Sequence, residues 1–178
     1  MGFIILHDIE NKKIEIFTDG SCSGNPGPGG WAAILKYNDN KKIIYGSEKM
    51  TTNNRMEMFA LIRALESLTE TYELYIYSDS KYVIDSISKG WAKKWQANGW
   101  KRGRYSALNS DLWEILLNLL KKYKKVNLFW VRGHSGHPEN EECDNLAVEA
   151  VKQLKSDMEV NSIGVLGENK SVSGRFQK

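Results

Sequence analysis

The sequence predicts an α/β fold in which helices flank a mixed sheet of five strands. Five short segments have the alternating or wholly apolar pattern of strands, and several longer segments have apolar residues at helical spacing. Their order along the chain is β-β-β-α-β-α-(α)-α-β-α. An antiparallel meander of three strands followed by parallel βαβ units gives a mixed sheet covered by helices.

The first three strands are predicted from alternation and from the turns that separate them. Ile14 and Ile16 fall on one face of the first strand, and Phe17 falls on the other. A glycine- and proline-rich turn is expected over residues 20–30, and the next turn is short and polar. Short connections favour antiparallel pairing of neighbouring strands. The three predicted strands cover residues 13–19, 31–37 and 41–49.

The rest of the chain alternates helices with two further strands. Apolar residues recur at helical spacing from Met58 to Leu68, and Thr52, Asn53 or Asn54 can cap the start of that helix. Residues 126–131 are apolar enough to predict a buried strand. The remaining predicted elements are a strand at 73–79 and helices at 80–87, 111–123 and from Pro138 to about Leu154.

Length and composition fit one folded domain with short extensions. The chain has 178 residues, of which 41% are hydrophobic and 26% are charged, so a core can form without disulfides. The net charge of +3 excludes a uniformly basic, histone-like chain. We expect an N-terminal extension over residues 1–12, the folded domain over 13–155 and a loosely ordered tail over 156–178.

Targeting signals are not evident in the sequence. The N-terminal apolar run, from Phe3 to Leu6, is too short for a signal peptide, and no run approaches the roughly 20 residues of a membrane span. The two cysteines, Cys22 and Cys143, form no metal or redox spacing and are expected to be small buried residues in a reduced protein. We therefore expect a soluble, cytoplasmic protein with no membrane contact.

Four acidic residues stand out by their positions. Asp19 and Asp79 end predicted strands, Glu57 lies early in the first helix, and Asp144 lies about two turns into the last helix. Each also has a purely structural interpretation. Asp19 could be a turn former and Asp79 a helix N-terminal acid. Glu57 could be a capping-box glutamate and Asp144 a surface residue. If they converge, their charges repel unless cations neutralise them, and carboxylate oxygens suit Mg²⁺ or Mn²⁺.

Five sequence blocks follow one another in order over about residues 13–155. They are IFTDGS at 16–21, GNPGPGG at 24–30, TTNNRME at 51–57, SDSKYV at 78–83 and RGHSGHPENEECD at 132–144. Together they resemble type 1 ribonuclease H of the bacterial kind with a basic protrusion. The resemblance implies a ribonuclease H-like fold and an endonuclease that cuts the RNA strand of RNA–DNA hybrids. It further implies that Asp19, Glu57, Asp79 and Asp144 bind two Mg²⁺, with Mn²⁺ as a substitute, and that cleavage leaves 5′-phosphate and 3′-hydroxyl ends.

The resemblance also implies roles for residues around the acids. His134, in a glycine-rich loop, is expected to move protons near neutral pH, and Asn140 is expected to orient it or the attacking water. Short polar or flexible residues are expected to contact phosphates and 2′-hydroxyls. These are Gly24, Asn25, Thr52, Asn53, Asn54 and Ser78.

Residues 89–105, which we call the handle, are basic and rich in tryptophan. The segment contains six lysines and arginines, three tryptophans and no acid. On its own it fits either a nucleic-acid contact or a solvated helix whose tryptophans fill a small core. The resemblance implies that it grips the DNA strand of the hybrid, with at least one tryptophan packed structurally. The expected contacts are Trp91, Lys93, Lys94, Trp95, Trp100, Lys101, Arg102 and Arg104.

Two other functions remain open at the level of sequence. A hybrid-binding module with weak or no catalysis would keep the fold and the handle, although the intact set of four acids argues against it. A different nuclease of the same fold, such as a resolvase or integrase, would lack this combination of sequence blocks. The leading expectation is a monomeric, Mg²⁺-dependent enzyme whose partner is an RNA–DNA hybrid.

Overall fold

A computed structural model describes residues 12–133 and 136–168, with side chains up to residue 160. Seven strands are present in this part of the chain. They are β1 (Lys13–Cys22), β2 (Gly27–Tyr37), β3 (Asn40–Thr51), β4 (Glu73–Ser78), β5 (Lys101–Arg102), β6 (Tyr105–Ser106) and β7 (Val126–Trp130). The described helices are α1 (Asn53–Glu66), α2 (Lys81–Ser88), α3 (Trp91–Ala97), α4 (Ser110–Leu120) and α5 (Pro138–Glu168).

The central sheet has five strands in the order β3-β2-β1-β4-β7. β1, β2 and β3 pair antiparallel, whereas β4 is parallel to both β1 and β7. The mixed five-stranded sheet predicted from the sequence is therefore confirmed. β5 and β6 form a separate two-stranded hairpin within and just after the handle.

Each face of the sheet has its own apolar cluster, as the alternation in β1 predicts. Ile14 and Ile16 belong to the larger cluster, which includes apolar residues of α1 and α4. Phe17 belongs to the other cluster, together with Cys143 and Ala147 of α5. Cys143 is fully buried, as expected for a small apolar residue, whereas Cys22 is only partly buried. The two clusters fix β1 between helices, so the C-terminal end of this strand has a defined position.

The predicted turn at 20–30 is shorter than expected, because β2 begins at Gly27 and its glycines take part in the sheet. A Cβ atom at Gly30 would lie 2.2 Å from the carbonyl oxygen of Ala147. The glycine at this position therefore allows α5 to pack directly against the strand. Glycines are typical of turns as well as of close packing within a strand. The sequence therefore predicted the start of the second strand at residue 31 instead of Gly27.

Two further elements also differ from the expectation. β7 is an edge strand, and Phe129 and Trp130 are 39% and 44% exposed, so the prediction of a buried strand at 126–131 is wrong. The sequence predicts that the last helix ends near Leu154, but α5 continues to Glu168. Residues 155–160 of that helix are exposed. Their exposure in the described part of the chain agrees with their lack of apolar periodicity, which is why the sequence pattern did not indicate this part of the helix.

Part of the predicted domain division lies outside the described residues. This applies to residues 1–11 of the N-terminal extension and to residues 169–178 of the tail. Within the described ranges, no helix is long and apolar enough to cross a membrane.

Candidate metal and active site

Three of the four singled-out acids meet at one edge of the sheet. Asp19 lies near the end of β1, and Asp79 directly follows β4. These strands are adjacent and parallel, with Thr18 opposite Ser78, so both aspartates come to the same edge. Glu57 lies in the second turn of α1. One carboxylate oxygen from each of the three residues lies within 4.8 Å of the other two.

Close backbone packing brings α1 against the end of β1. A Cβ atom at Gly20 would lie 2.3 Å from the backbone nitrogen of Glu57 and 2.6 Å from the carbonyl carbon of Met56. Only a residue without a side chain fits there, so Gly20 lets the two elements touch beside Asp19. Gly133 has a similar role on the other side, because its Cβ would lie 2.7 Å from Oδ2 of Asp79.

The local structure excludes several alternative interpretations of these acids. Asp19 lies inside β1 and is not a turn residue. Thr52 caps α1, and its hydroxyl accepts a hydrogen bond from the backbone NH of Arg55 at 3.4 Å. Glu57 accepts instead from the side-chain amide of Asn53 at 3.4 Å, so it is not the glutamate of a capping box. Ser80 caps α2, which leaves Asp79 outside the helix.

Burial and the negative charge of neighbouring acids disfavour the ionised forms of Asp19 and Glu57. Asp19 is only 5% exposed, and burial is the main reason that its pKa rises to about 8. The charges of Asp79 and Asp144 raise the pKa further, against the hydrogen bond donated by the backbone NH of Gly20. Burial, followed by the charges of Asp19 and Asp79, also raises the pKa of Glu57. Asp19 and Glu57 therefore resist ionisation unless positive charge is added.

Asp144 stands beside this group of three. It lies on α5 and is close enough to Asp19 to raise its pKa through charge and through a side-chain hydrogen bond. Among the described residues, the carboxylate oxygens that lie within 4.8 Å of one another come from the other three acids, and none comes from Asp144. The structure thus brings all four acids to one site, with Asp144 next to Asp19.

The donor set fits a divalent metal ion. All candidate ligand atoms are carboxylate oxygens, which hard cations such as Mg²⁺ prefer. Oε2 of Glu57 is buried and has no hydrogen-bond partner in the part of the chain that the structure describes. A buried carboxylate oxygen without a donor is costly, and a bound cation would remove that cost.

The predicted substrate-contacting residues fall into two groups. Gly24, Asn25, Asn53 and Asn54 are exposed, and Oδ1 of Asn25 accepts from the backbone NH of Asn53 at 3.2 Å. Ser78 is 2% exposed, and its hydroxyl accepts from the backbone NH of Ser80 at 3.2 Å. Ser78 is thus a buried residue at the end of β4, next to Asp79, and the structure gives no support to a contact between this residue and substrate.

Two predicted residues follow β7. His134 lies outside the described residues. Asn140 is 2% exposed in the first turn of α5, and its Oδ1 has no hydrogen-bond partner within the described ranges. Sequence reasoning overlooked Trp130, whose indole NH donates to the backbone carbonyl of Asp79 at 2.9 Å. The signal available in the sequence was the position of Trp130 near the end of a predicted strand, where residues close to the acids are expected.

The handle consists of α3, β5 and the residues around them. All its basic side chains belong to exposed residues: Lys89, Lys93, Lys94, Lys101, Arg102 and Arg104. Trp95 and Trp100 pack against the larger apolar cluster, and the Trp95 ring lies edge-on to Trp113 with centroids 6.2 Å apart. Trp91 is 41% exposed, with the Lys89 ammonium 4.9 Å from its ring centroid. Two tryptophans therefore anchor the handle and one remains accessible.

Comparisons with known proteins agree on one family. The family model for RNase H matches residues 11–152. A protein called Ribonuclease H from Rippkaea orientalis is 52% identical over 157 residues, which cover 86% of this chain and 96% of its own length. Ribonuclease H from Desulforamulus reducens is 51% identical over 150 residues, 84% of this chain and 94% of its own length.

Solved structures give the same result for the fold. The crystal structure of LC9-RNase H1, a type 1 RNase H with the type 2 active-site motif, matches with a TM-score of 0.73 and 31% identity. The match covers 82% of this chain and 75% of that one. LC11-RNase H1 in complex with RNA/DNA hybrid matches with a TM-score of 0.60 and 22% identity, over 79% of this chain and 98% of that one.

The raised pKa of Asp19 predicts that Asp19→Asn stabilises the metal-free protein at alkaline pH. The folded pKa of about 8 lies above the unfolded value of about 4, so the folded state holds the extra proton between these values. The wild type should therefore lose stability as pH rises from about 4 to 8, and this loss should be smaller in the variant. Urea unfolding in EDTA should show the variant more stable by at least about 1 kcal/mol at pH 8.

Asp39→Asn is the matched control, because Asp39 is exposed in the turn between β2 and β3. Its unfolding midpoint should follow the wild type at every pH. If Asp19→Asn and Asp39→Asn show the same pH dependence, the carboxylate of Asp19 is not held in a repulsive cluster.

Proposed function

The chain belongs to the ribonuclease H family, and from that premise we propose how its residues cut the RNA strand of an RNA–DNA hybrid. The family establishes an endonuclease that hydrolyses RNA in such hybrids and normally uses a divalent metal. The finer proposal is catalysis with two Mg²⁺ ions, for which Mn²⁺ can substitute. The proposed products have 5′-phosphate and 3′-hydroxyl ends.

The cluster of Asp19, Glu57 and Asp79 is the observation that carries this proposal. Their oxygens converge within 4.8 Å at the edge of the sheet where parallel strands end, and the burial of Asp19 and Glu57 disfavours negative charge. Bound ions would supply the positive charge that readies the attacking water and stabilises the leaving oxygen. The four acids hold these ions in our proposal, with Asp144 contributing from α5.

The neighbouring residues supply orientation and proton transfer. Asp19 lies in β1 and Asp79 directly follows β4, so the pairing of these strands sets the spacing of the two residues before substrate binds. His134 is proposed to carry protons to or from the reacting oxygens, since histidine titrates near neutral pH. Oδ1 of Asn140 is a buried acceptor that can take a hydrogen bond from His134 or from water.

Substrate recognition is proposed to divide between the two strands of the hybrid. Gly24, Asn25, Asn53 and Asn54 form an exposed polar rim near the acids, suited to phosphates and to the 2′-hydroxyls that distinguish RNA from DNA. Thr52, at the cap of α1, belongs to the same rim. LC11-RNase H1, which shares the fold, is known in complex with RNA/DNA hybrid. The same ligand is proposed here.

The handle is proposed to bind the DNA strand. Its six basic residues are exposed, whereas Trp95 and Trp100 are packed against the body of the protein. The exposed face of Trp91 can pack on a sugar or base, and the cations can neutralise phosphates. We propose that the enzyme acts as a monomer, because one chain assembles both the acid cluster and the handle.

Replacing a single acid tests the proposed chemistry. Asp19→Asn should reduce hybrid cleavage at least about 100-fold, because one charged ligand is removed, and should leave hybrid affinity within about threefold. Gel-based cleavage in Mg²⁺ and fluorescence anisotropy of a labelled hybrid provide the two measurements. Asp39→Asn should match the wild type in both. Full cleavage by Asp19→Asn would show that the metal site is assigned to the wrong residues.

The handle makes a separate prediction about salt. Lys93→Gln/Lys94→Gln should raise KM and reduce the slope of log affinity against log salt by roughly 0.7–0.9 for each phosphate that is no longer neutralised. The control Lys122→Gln/Lys124→Gln removes the same charge just after the C-terminal end of α4, whereas the handle precedes its N-terminal end. This control should change neither KM nor the salt slope. Equal salt slopes in the handle variant and the wild type would contradict a phosphate contact by these lysines.

A further inference from the structure

A set of polar contacts joins the first turn of α1 to residues 108–111, which follow the handle and which we call the handle base. Both terminal guanidinium nitrogens of Arg55 take part in a two-pronged ion pair with Asp111. Nη1 lies 3.0 Å from Oδ1 and Nη2 lies 2.7 Å from Oδ2. Arg55 is two residues from Glu57, and Asp111 lies in the first turn of α4, just after the handle returns to the body.

Tyr82 of α2 links this ion pair to the handle. Its hydroxyl accepts from Nε1 of Trp113 at 2.9 Å and from Nδ2 of Asn109 at 3.3 Å, and it donates to the carbonyl of Leu108 at 3.2 Å. The full hydrogen-bonding capacity of a phenol is therefore used. Oδ1 of Asn109 in turn accepts from Nη1 of Arg55 at 3.5 Å.

Packing extends the connection into the handle itself. The ring of Trp113 is fully buried and lies between Tyr82, at 5.5 Å, and Trp95, at 6.2 Å between centroids. Trp95 is on α3, and the guanidinium of Arg102 lies 5.8 Å from its ring centroid. Contacts thus run without a gap from the helix that carries Glu57 to Arg102, one of the basic residues of the handle.

Stability alone is a weak explanation for the Arg55–Asp111 pair. The Asp111 side chain is 60% exposed, and ion pairs in such surroundings contribute little to the free energy of unfolding. A two-pronged arginine–carboxylate pair does, however, fix direction as well as distance, because both groups are planar. Its main effect is to set the orientation of α4 and the handle base relative to α1.

We propose that Arg55 and Asp111 are positioning residues that hold the handle at a fixed distance and angle from the acid cluster. The inference rests on the proposed function of the handle. A hybrid that touches both places is bound by two connected surfaces, and the second contact is strong only if their spacing matches the duplex. Loosening the pair should weaken this match without altering the acids.

The test compares KM and kcat of Asp111→Asn with those of the wild type on a hybrid long enough to reach the handle. We expect KM to rise about three- to tenfold, because the handle is no longer oriented, and kcat to stay within about twofold. Glu66→Gln is the matched control, since it breaks another exposed ion pair on α1, with Arg63, away from the handle. It should leave both constants unchanged.

The decisive comparison repeats Asp111→Asn in the Lys93→Gln/Lys94→Gln background. If the pair acts through the handle, the substitution should now change KM by less than about twofold. An equal rise in both backgrounds, or no rise in the wild-type background, would overturn the inference. If Lys93→Gln/Lys94→Gln itself leaves KM and the salt slope unchanged, the proposal that the handle binds the hybrid is wrong. That result is distinguishable from failure of the positioning proposal, in which the lysine variant changes KM but Asp111→Asn does not act through the handle.

Arg55→Lys provides a second variant that keeps the charge and removes the two-pronged geometry. We expect it to reproduce the rise in KM caused by Asp111→Asn, with a melting temperature near that of the wild type. An unchanged KM would show that charge alone is sufficient and would contradict positioning by geometry.

Discussion

Repulsion among buried acids is the constraint on which the rest of the structure depends. Asp19, Glu57 and Asp79 occupy one small volume, and burial raises the pKa values of Asp19 and Glu57. A fold that only needed stability would separate such groups. Here two paired strands and the bare backbone of Gly20 hold them together. The sheet and helices thus maintain an arrangement that bound cations would make favourable.

The charge of the whole chain reflects the same division. The net charge is +3, yet the handle alone carries six positive charges and no negative ones, which leaves −3 for the remainder. The acid cluster is part of that negative remainder. A near-neutral protein therefore combines an exposed basic segment, which we propose binds the polyanionic substrate, with an acidic cluster that has a suitable donor set for metal ions. In our proposal, Arg55 and Asp111 hold these two oppositely charged regions at a fixed distance and angle from each other.

Much of the fold and the site could be predicted from local sequence pattern. The alternation in β1 predicted which residues face each cluster. The positions of Asp19 and Asp79 at strand ends predicted convergence only if their strands were neighbours, and the pairing of β1 with β4 supplies that condition. The pattern failed where a residue served a distant contact. Gly30 resembles a turn residue but packs against Ala147, and Phe129 is apolar yet lies on an edge strand. The partner of Arg55 lies 56 residues away, so no spacing in the sequence could indicate it.

Cleavage of a labelled RNA–DNA hybrid across a Mg²⁺ titration tests the central claim most directly. The hybrid, a DNA duplex and an RNA duplex of the same sequence are incubated with the protein in EDTA and in increasing Mg²⁺. We expect cuts only in the RNA strand of the hybrid and only when Mg²⁺ is present, because the acids need cations to act. Cleavage in EDTA, or equal cleavage of the DNA duplex, would contradict the account.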